Sequence, residues 1–118
     1  MSQKETSSFT LDPLVDVLAE LRGPNGCPWD KLQTHSSLRR YLLEEVYETL
    51  EAIDEKNVDH LREELGDLLL QIVFHARVAE ENGYFTMQDV VNDITAKMVR
   101  RHPHVFQSAD RETVGDTL

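Results

Sequence analysis

The stretch that decides the fold is residues 44–67, EEVYETLEAIDEKNVDHLREELGD. Apolar side chains run through it and beyond it at helical spacing: Leu43, Val46, Leu50 and Ile53 before Asn57, then Leu61, Leu65, Leu68 and Ile72 after it. Steps of three and four put each set on one face of a helix. Two helices joined by a connection as tight as the one near Asn57 lie side by side and antiparallel. The same stretch holds ten Asp and Glu residues against Lys56 and Arg62, a charge of −8 within a chain whose formal total is −10. The negative charge is therefore focused on one helical hairpin rather than spread over the surface.

Outward from the hairpin, the punctuation predicts four helices. The first covers residues 11–22, with Thr10 as N-cap, Pro13 in the first turn and Gly23-Pro24 at the end. A loop follows over residues 23–34 and carries the single Trp29. The second helix is expected over 37–56 and the third over 59–81, stopped by Asn82-Gly83. The second half of the third is apolar nearly all round (Leu69, Leu70, Val73, Phe74), which predicts burial on several sides. The fourth opens on Thr86-x-x-Asp89, a capping-box pattern, and runs to Arg101 before Pro103. No segment alternates with period two, so the expected fold is all-α and four-helix bundle-like, oligomerising through its apolar helix faces. Residues 11–106 read as one domain, 1–10 as a flexible N-terminus and 107–118 as a polar tail.

At 118 residues the chain is one domain in size, and a core this small gains from a second copy. Its acidity argues against nucleic-acid backbone as a partner, since that needs clustered Lys and Arg. It argues equally against an anionic membrane surface. No apolar run reaches the ~18–20 residues of a membrane span, and the start of the chain has no apolar signal region. The single Cys27 forms no intrachain disulfide. A soluble cytoplasmic protein is the expectation.

Two carboxylate pairs stand out in the hairpin. Glu45 and Glu48 are three apart, and so are Glu64 and Asp67. Each pair shares a helix face, with Cβ atoms ~5–6 Å apart. Antiparallel packing about Asn57 brings the pairs together, and four converging carboxylates make a site for a hard divalent cation such as Mg2+. The competing reading is a solvated acidic face. Such a face usually interleaves bases at i,i+4, yet no base lies between Glu44 and Glu55. Gly66 in mid-helix costs ~1 kcal/mol relative to Ala, which suggests close approach of a helix or a ligand there. No Glu-x-x-His pair accompanies the carboxylates, which sets a di-iron bundle aside. There is also no Gly-rich phosphate loop of the Walker type.

The pattern Glu44-Glu45-x-x-Glu48 with Glu64-x-x-Asp67 resembles that of the MazG-type nucleoside triphosphate pyrophosphohydrolases, in the all-α pyrophosphohydrolase superfamily. Three further stretches carry the resemblance: Gly26-Cys27-Pro28-Trp29-Asp30 with Gln33-Thr34-His35; Glu64-Leu65-Gly66-Asp67-Leu68-Leu69 with Phe74-His75-Ala76; and Lys97 with Arg101-His102-Pro103-His104-Val105-Phe106. It implies Mg2+-dependent hydrolysis of an NTP or dNTP to the monophosphate and pyrophosphate, with Mn2+ as a substitute ion and house-cleaning of nucleotide pools as a role. It implies Glu45, Glu48, Glu64 and Asp67 as metal ligands. Glu44 is the other acid of the motif and would assist with a second metal or the attacking water. Lys97 and Arg101 match phosphate-contacting positions and share a face of the last helix; cations offsetting the C-terminal end of a helix dipole are the other account of them. Trp29 is either a stacking surface for the base or a loop anchor. Cys27 and His75 read as packing residues. A homodimer or homotetramer is expected.

Relatives continue past this C-terminus with a further helix, and many carry two such domains in tandem. The chain thus reads as a one-domain version or as the first domain of a longer protein. In the second case a non-catalytic nucleotide-binding or dimerising regulatory domain is an open alternative.

Overall fold

The structure, a computed structural model, describes residues 9–106. Five helices follow in order: α1 (Asp12–Leu21), α2 (Pro28–Leu32), α3 (His35–Glu55), α4 (Val58–Glu81) and α5 (Met87–Arg101), with no strand among the described residues. The all-α expectation holds. The flexible segment expected over 1–10, apart from Phe9 and Thr10, and the polar tail over 107–118 lie outside the described residues.

The helix starts follow local chemistry. Thr86 opens α5 as expected: its hydroxyl accepts from the Asp89 N–H while the Asp89 carboxylate accepts from the Thr86 N–H. Asn57 caps α4 by accepting from the His60 N–H. Two residues, Lys56 and Asn57, suffice to join α3 to α4, because Lys56 takes a left-handed conformation with φ 57°. Gly83 does the same beyond α4, at φ 76°.

Three starts or stops differ from the sequence reading. α3 begins at His35, two residues early, because Thr34 and Ser37 form a reciprocal capping box. The cap position of α1 is Leu11, not Thr10, whose hydroxyl accepts from the Asp12 N–H just outside the helix. The loop expected over residues 23–34 contains a full turn of helix, α2, started by Pro28 at its first position. Gly26 permits the tight entry to it, since a Cβ there would fall on the Leu21 carbonyl.

Arg22 closes this segment onto the long helices. Its Nη1 donates to the backbone carbonyls of Asp30 (2.6 Å) and Gln33 (3.0 Å). Its Nε and Nη2 donate to the Glu81 carboxylate at 2.9 and 2.8 Å. The guanidinium also lies over the Phe74 ring, 5.6 Å from its centre. These bonds, first of all the hydrogen bond from Arg22, hold the Glu81 carboxyl below its ordinary range.

The core is small and lies at one end of the α3–α4 hairpin. Leu18 of α1, Leu38 of α3 and Val73, Phe74 and Val78 of α4 form it, as the all-round apolar half of α4 foretold. The stripe on α3 does not join them. Leu43, Leu50 and Ile53 remain 56%, 48% and 52% exposed, and Leu65 on α4 is 50% exposed. Helical period placed these residues on one face correctly, but no element among the described residues covers that face. The small Thr49 and Ala52 take the buried positions between the helices there. The radius of gyration is 17.2 Å, against about 13 Å for a compact domain of this size. No described helix is long and apolar enough to cross a membrane.

Candidate metal centre

The two-residue connection sets the register of α3 against α4, and that register brings the carboxylates together. Oxygens of Glu45, Glu64 and Asp67 lie within 4.8 Å of one another. A second group, Glu48, His60 and Glu64, meets the same limit. Glu64 belongs to both, is only 9% exposed, and sits at the centre. Thus all four expected ligands occur in these two groups, Glu45 and Asp67 in one and Glu48 in the other, with Glu64 common to both.

The electrostatics around Glu45 are those of crowded, partly buried negative charge. Glu45 Oε1 is buried and has no hydrogen-bond partner. Partial burial raises the Glu45 pKa above its ordinary value, and the neighbouring Asp67 and Glu64 carboxyls push it further. Among the described residues, none of Glu45, Glu48 and Asp67 has an ion-pair partner. An orphaned buried carboxylate oxygen beside a set of oxygen donors fits a hard divalent cation. A merely solvated acidic face would not bury Glu64 or strand a Glu45 oxygen.

Of the two approaches that the position of Gly66 suggested, no described helix makes the first: a Cβ there would meet nothing within 4 Å. The glycine leaves an open notch on the exposed side of α4, between Glu64 and Asp67.

The remaining expected residues are not members of these two groups. Glu44 is in neither carboxylate group; it faces Arg40, one turn back, across an exposed contact of 3.4 Å. Trp29 is half exposed and meets Tyr41 of α3 edge to face, with ring centres 5.7 Å apart. Tyr41 lies one helical turn before Glu45, so the aromatic pair borders the carboxylates. Lys97 lines an open cleft of about 350 Å³ on α5 with Phe85, Asp89, Val90, Asp93 and Ile94. Arg101 follows it four residues later at the exposed end of α5, and neither cation is ion-paired among the described residues.

Sequence reasoning missed two histidine contacts. His60 Nε2 lies 3.1 Å from Glu64 Oε2 and its Nδ1 3.0 Å from Glu55 Oε1. Hydrogen bonding to Glu55, and then to Glu64, holds its pKa above the ordinary value. The signal was present as His60-x-x-x-Glu64, an i,i+4 pair on one face; testing only the Glu-x-x-His order passed over it. The second is the pair His35–His75, whose Nδ1 atoms are 2.8 Å apart, so one ring donates and the other accepts. Burial, then the neighbouring His35, lowers the His75 pKa. His75 does pack, as expected, but it also ties the first turn of α3 to α4.

A helical hairpin that gathers acidic side chains from both arms into one cluster defines the class of this protein. Residues 33–106 match the MazG nucleotide pyrophosphohydrolase domain, and the chain belongs to that family. It is 58% identical over 100 residues to the nucleoside triphosphate pyrophosphohydrolase/pyrophosphatase MazG of Thermotoga maritima, covering 85% of this chain and 39% of that protein. It is 48% identical over 109 residues to the nucleoside triphosphate pyrophosphohydrolase of Escherichia coli, covering 92% and 41%. The uncharacterised protein YabN of Bacillus subtilis is 59% identical over 102 residues, covering 86% and 21%. The chain therefore spans between a fifth and two fifths of the length of these relatives.

Proposed function

We propose that this domain hydrolyses nucleoside triphosphates, ribo- or deoxyribo-, to the monophosphate and pyrophosphate, with Mg2+ or Mn2+ as cofactor. The observation that carries the reading is the Glu45–Glu64–Asp67 cluster with its orphaned Glu45 oxygen, set in a MazG domain. Glu45, Glu48, Glu64 and Asp67 would hold the ion. Bound there, it supplies charge neutralisation of the phosphates and a water of lowered pKa.

The protein's own residues do the rest. The four carboxylates repel a free triphosphate, so the site accepts only the metal-complexed nucleotide. Lys97 and Arg101, both on α5, bind phosphate oxygens; the Arg fork suits two of them at once. Trp29 stacks on the base beside Tyr41. Glu44 is exposed and held only by a surface pair to Arg40, a contact worth ~0.3–0.5 kcal/mol. It is free to turn and take the proton of the attacking water. That water's oxygen bonds to the α-phosphorus, the α–β bridging P–O bond breaks, and pyrophosphate leaves toward Lys97 and Arg101.

The uncovered faces of α3 and α4 support a homodimer or homotetramer, in which Leu43, Val46, Leu50 and Ile53 of one copy lie against another. A cytoplasmic role in clearing nucleotides goes with this reading. The test is a panel of all NTPs and dNTPs with Mg2+ and identified products. Monophosphate and pyrophosphate from at least one nucleotide are expected. A folded protein that binds nucleotide without releasing pyrophosphate from any of them would instead be a regulatory binding domain. Light scattering should return at least twice the mass of 13.6 kDa.

A further inference from the structure

The second group at the hairpin differs from the first in chemistry. Glu45, Glu64 and Asp67 offer oxygen alone, whereas Glu48, His60 and Glu64 offer two carboxylates and an imidazole. Imidazole nitrogen suits Zn2+, Co2+ and Fe2+, and Mg2+ prefers an all-oxygen shell. The surroundings of His60 add an independent indication. A metal-ligating histidine almost always donates its other ring N–H to a carboxylate or carbonyl, which fixes the ring and its tautomer. His60 has that arrangement: Nδ1 is 3.0 Å from Glu55 Oε1, while Nε2 is directed at Glu64, 3.1 Å away. Glu55 is the last residue of α3 and His60 lies in the first turn of α4, so the tight turn itself builds the contact. No part of the pyrophosphohydrolase reading calls for a nitrogen donor.

We propose that Glu48, His60 and Glu64, with Glu55 orienting the imidazole, form a mixed nitrogen–oxygen site that takes a borderline transition-metal ion such as Co2+ or Zn2+. The site rests on the reading of this hairpin as a cation centre, and it shares Glu48 and Glu64 with the four carboxylates assigned to Mg2+. The two sets therefore prefer different ions while drawing on two common carboxylates. A transition metal held by His60 pulls Glu64 toward Glu48 and away from Glu45 and Asp67.

The test uses the full chain without nucleotide. With 15N-labelled histidine, saturation with Zn2+ should move the Nε2 resonance of His60 and leave the His35, His75, His102 and His104 resonances near their starting positions. Co2+ should develop a visible ligand-field band indicating nitrogen ligation. His60→Gln should weaken Co2+ and Zn2+ binding by about 10–100-fold, with a smaller change for Mg2+, and Glu55→Gln should weaken them about tenfold. An unmoved His60 Nε2 at saturating Zn2+ overturns the proposal, as does equal Co2+ affinity in the His60→Gln variant. The resonance measurement is made on the unaltered protein, so a variant that fails to fold does not remove the test. The two readings fail separately. Absence of any nucleotide turnover with Mg2+, alongside the His60 signature, defeats the pyrophosphohydrolase reading alone; turnover with an unmoved His60 defeats only this one.

Discussion

The two ends of the α3–α4 hairpin are made of the same two helices and behave differently. At the open end Leu38, Val73, Phe74 and Val78 close on Leu18 of α1, and Arg22 fastens the connecting segment to Glu81. At the turn end Glu45, Glu48, Glu64 and Asp67 gather, and the apolar residues nearby, Leu50, Ile53 and Leu65, face outward. The difference lies in what stands against each end. α1 covers the first; among the described residues nothing covers the second. One end is stabilised by burial of its own residues. The other gathers negative charge and leaves apolar surface bare, and in the proposed reading a cation, a nucleotide or another copy relieves both.

The comparison is most severely tested by Asp67→Asn. It should lower kcat/KM by about a thousandfold, several kcal/mol of lost charge stabilisation, while leaving the metal-free melting temperature unchanged or higher. Assay and melt together decide it; a large loss of stability would mean that the carboxylates hold up the fold. Phe74→Ala should do the reverse. Removing the ring from the packed end should cost about 3–5 kcal/mol in denaturant melts, with normal metal affinity in whatever fraction stays folded.

A smaller effect comes from the cation. Mg2+ at about a hundredfold excess over its dissociation constant should stabilise the fold by about 2.7 kcal/mol, read as a rise in melting temperature, and Asp67→Asn should abolish the rise. Gly66→Ala should stabilise an isolated α4 by up to ~1 kcal/mol, since its Cβ meets nothing in this chain. If stability rises but turnover or dimer mass falls, the notch is used by substrate or by a second copy.

The smallest effect is in pH, and the two ends should differ in sign. The folded pKa of His75 lies below its ordinary value of 6.5. The unfolded chain therefore binds the extra proton first, and the packed end keeps this contribution above pH 6.5 and loses it as pH falls through the folded pKa. The folded pKa of Glu45 lies above its ordinary 4.5, so the metal-free site end gains stability as pH falls through that raised value. Melts from pH 7.5 to 5 should show the loss in the unaltered protein and a flatter profile in His75→Leu. Equal slopes in both would remove His75 as the cause.

Much of this was legible from residue spacing. The hairpin, its break at Asn57 and the pooling of four carboxylates follow from helical period and a short connection. Thr86-x-x-Asp89 and Asn82-Gly83 marked helix ends because capping chemistry is local. Other features were not legible, for identifiable reasons. The α2 turn hid among Gly and Pro residues that usually mark loops. His60 was half legible: Glu64 is its neighbour one turn on in the same helix, but Glu55 lies across the connection and only folding joins it. Arg22 gave no signal, since its acceptors are two backbone carbonyls and a carboxylate 59 residues away.

The sequence by itself determined that the chain is helical, that its charge is concentrated on one hairpin, and which carboxylates share a face. These depend on neighbours within a few residues, where geometry is set by the helix alone. Only the tertiary structure decided which apolar stripe becomes core and which stays bare. A stripe of Leu and Ile records that a face seeks a partner, and it does not say whether that partner belongs to the same chain.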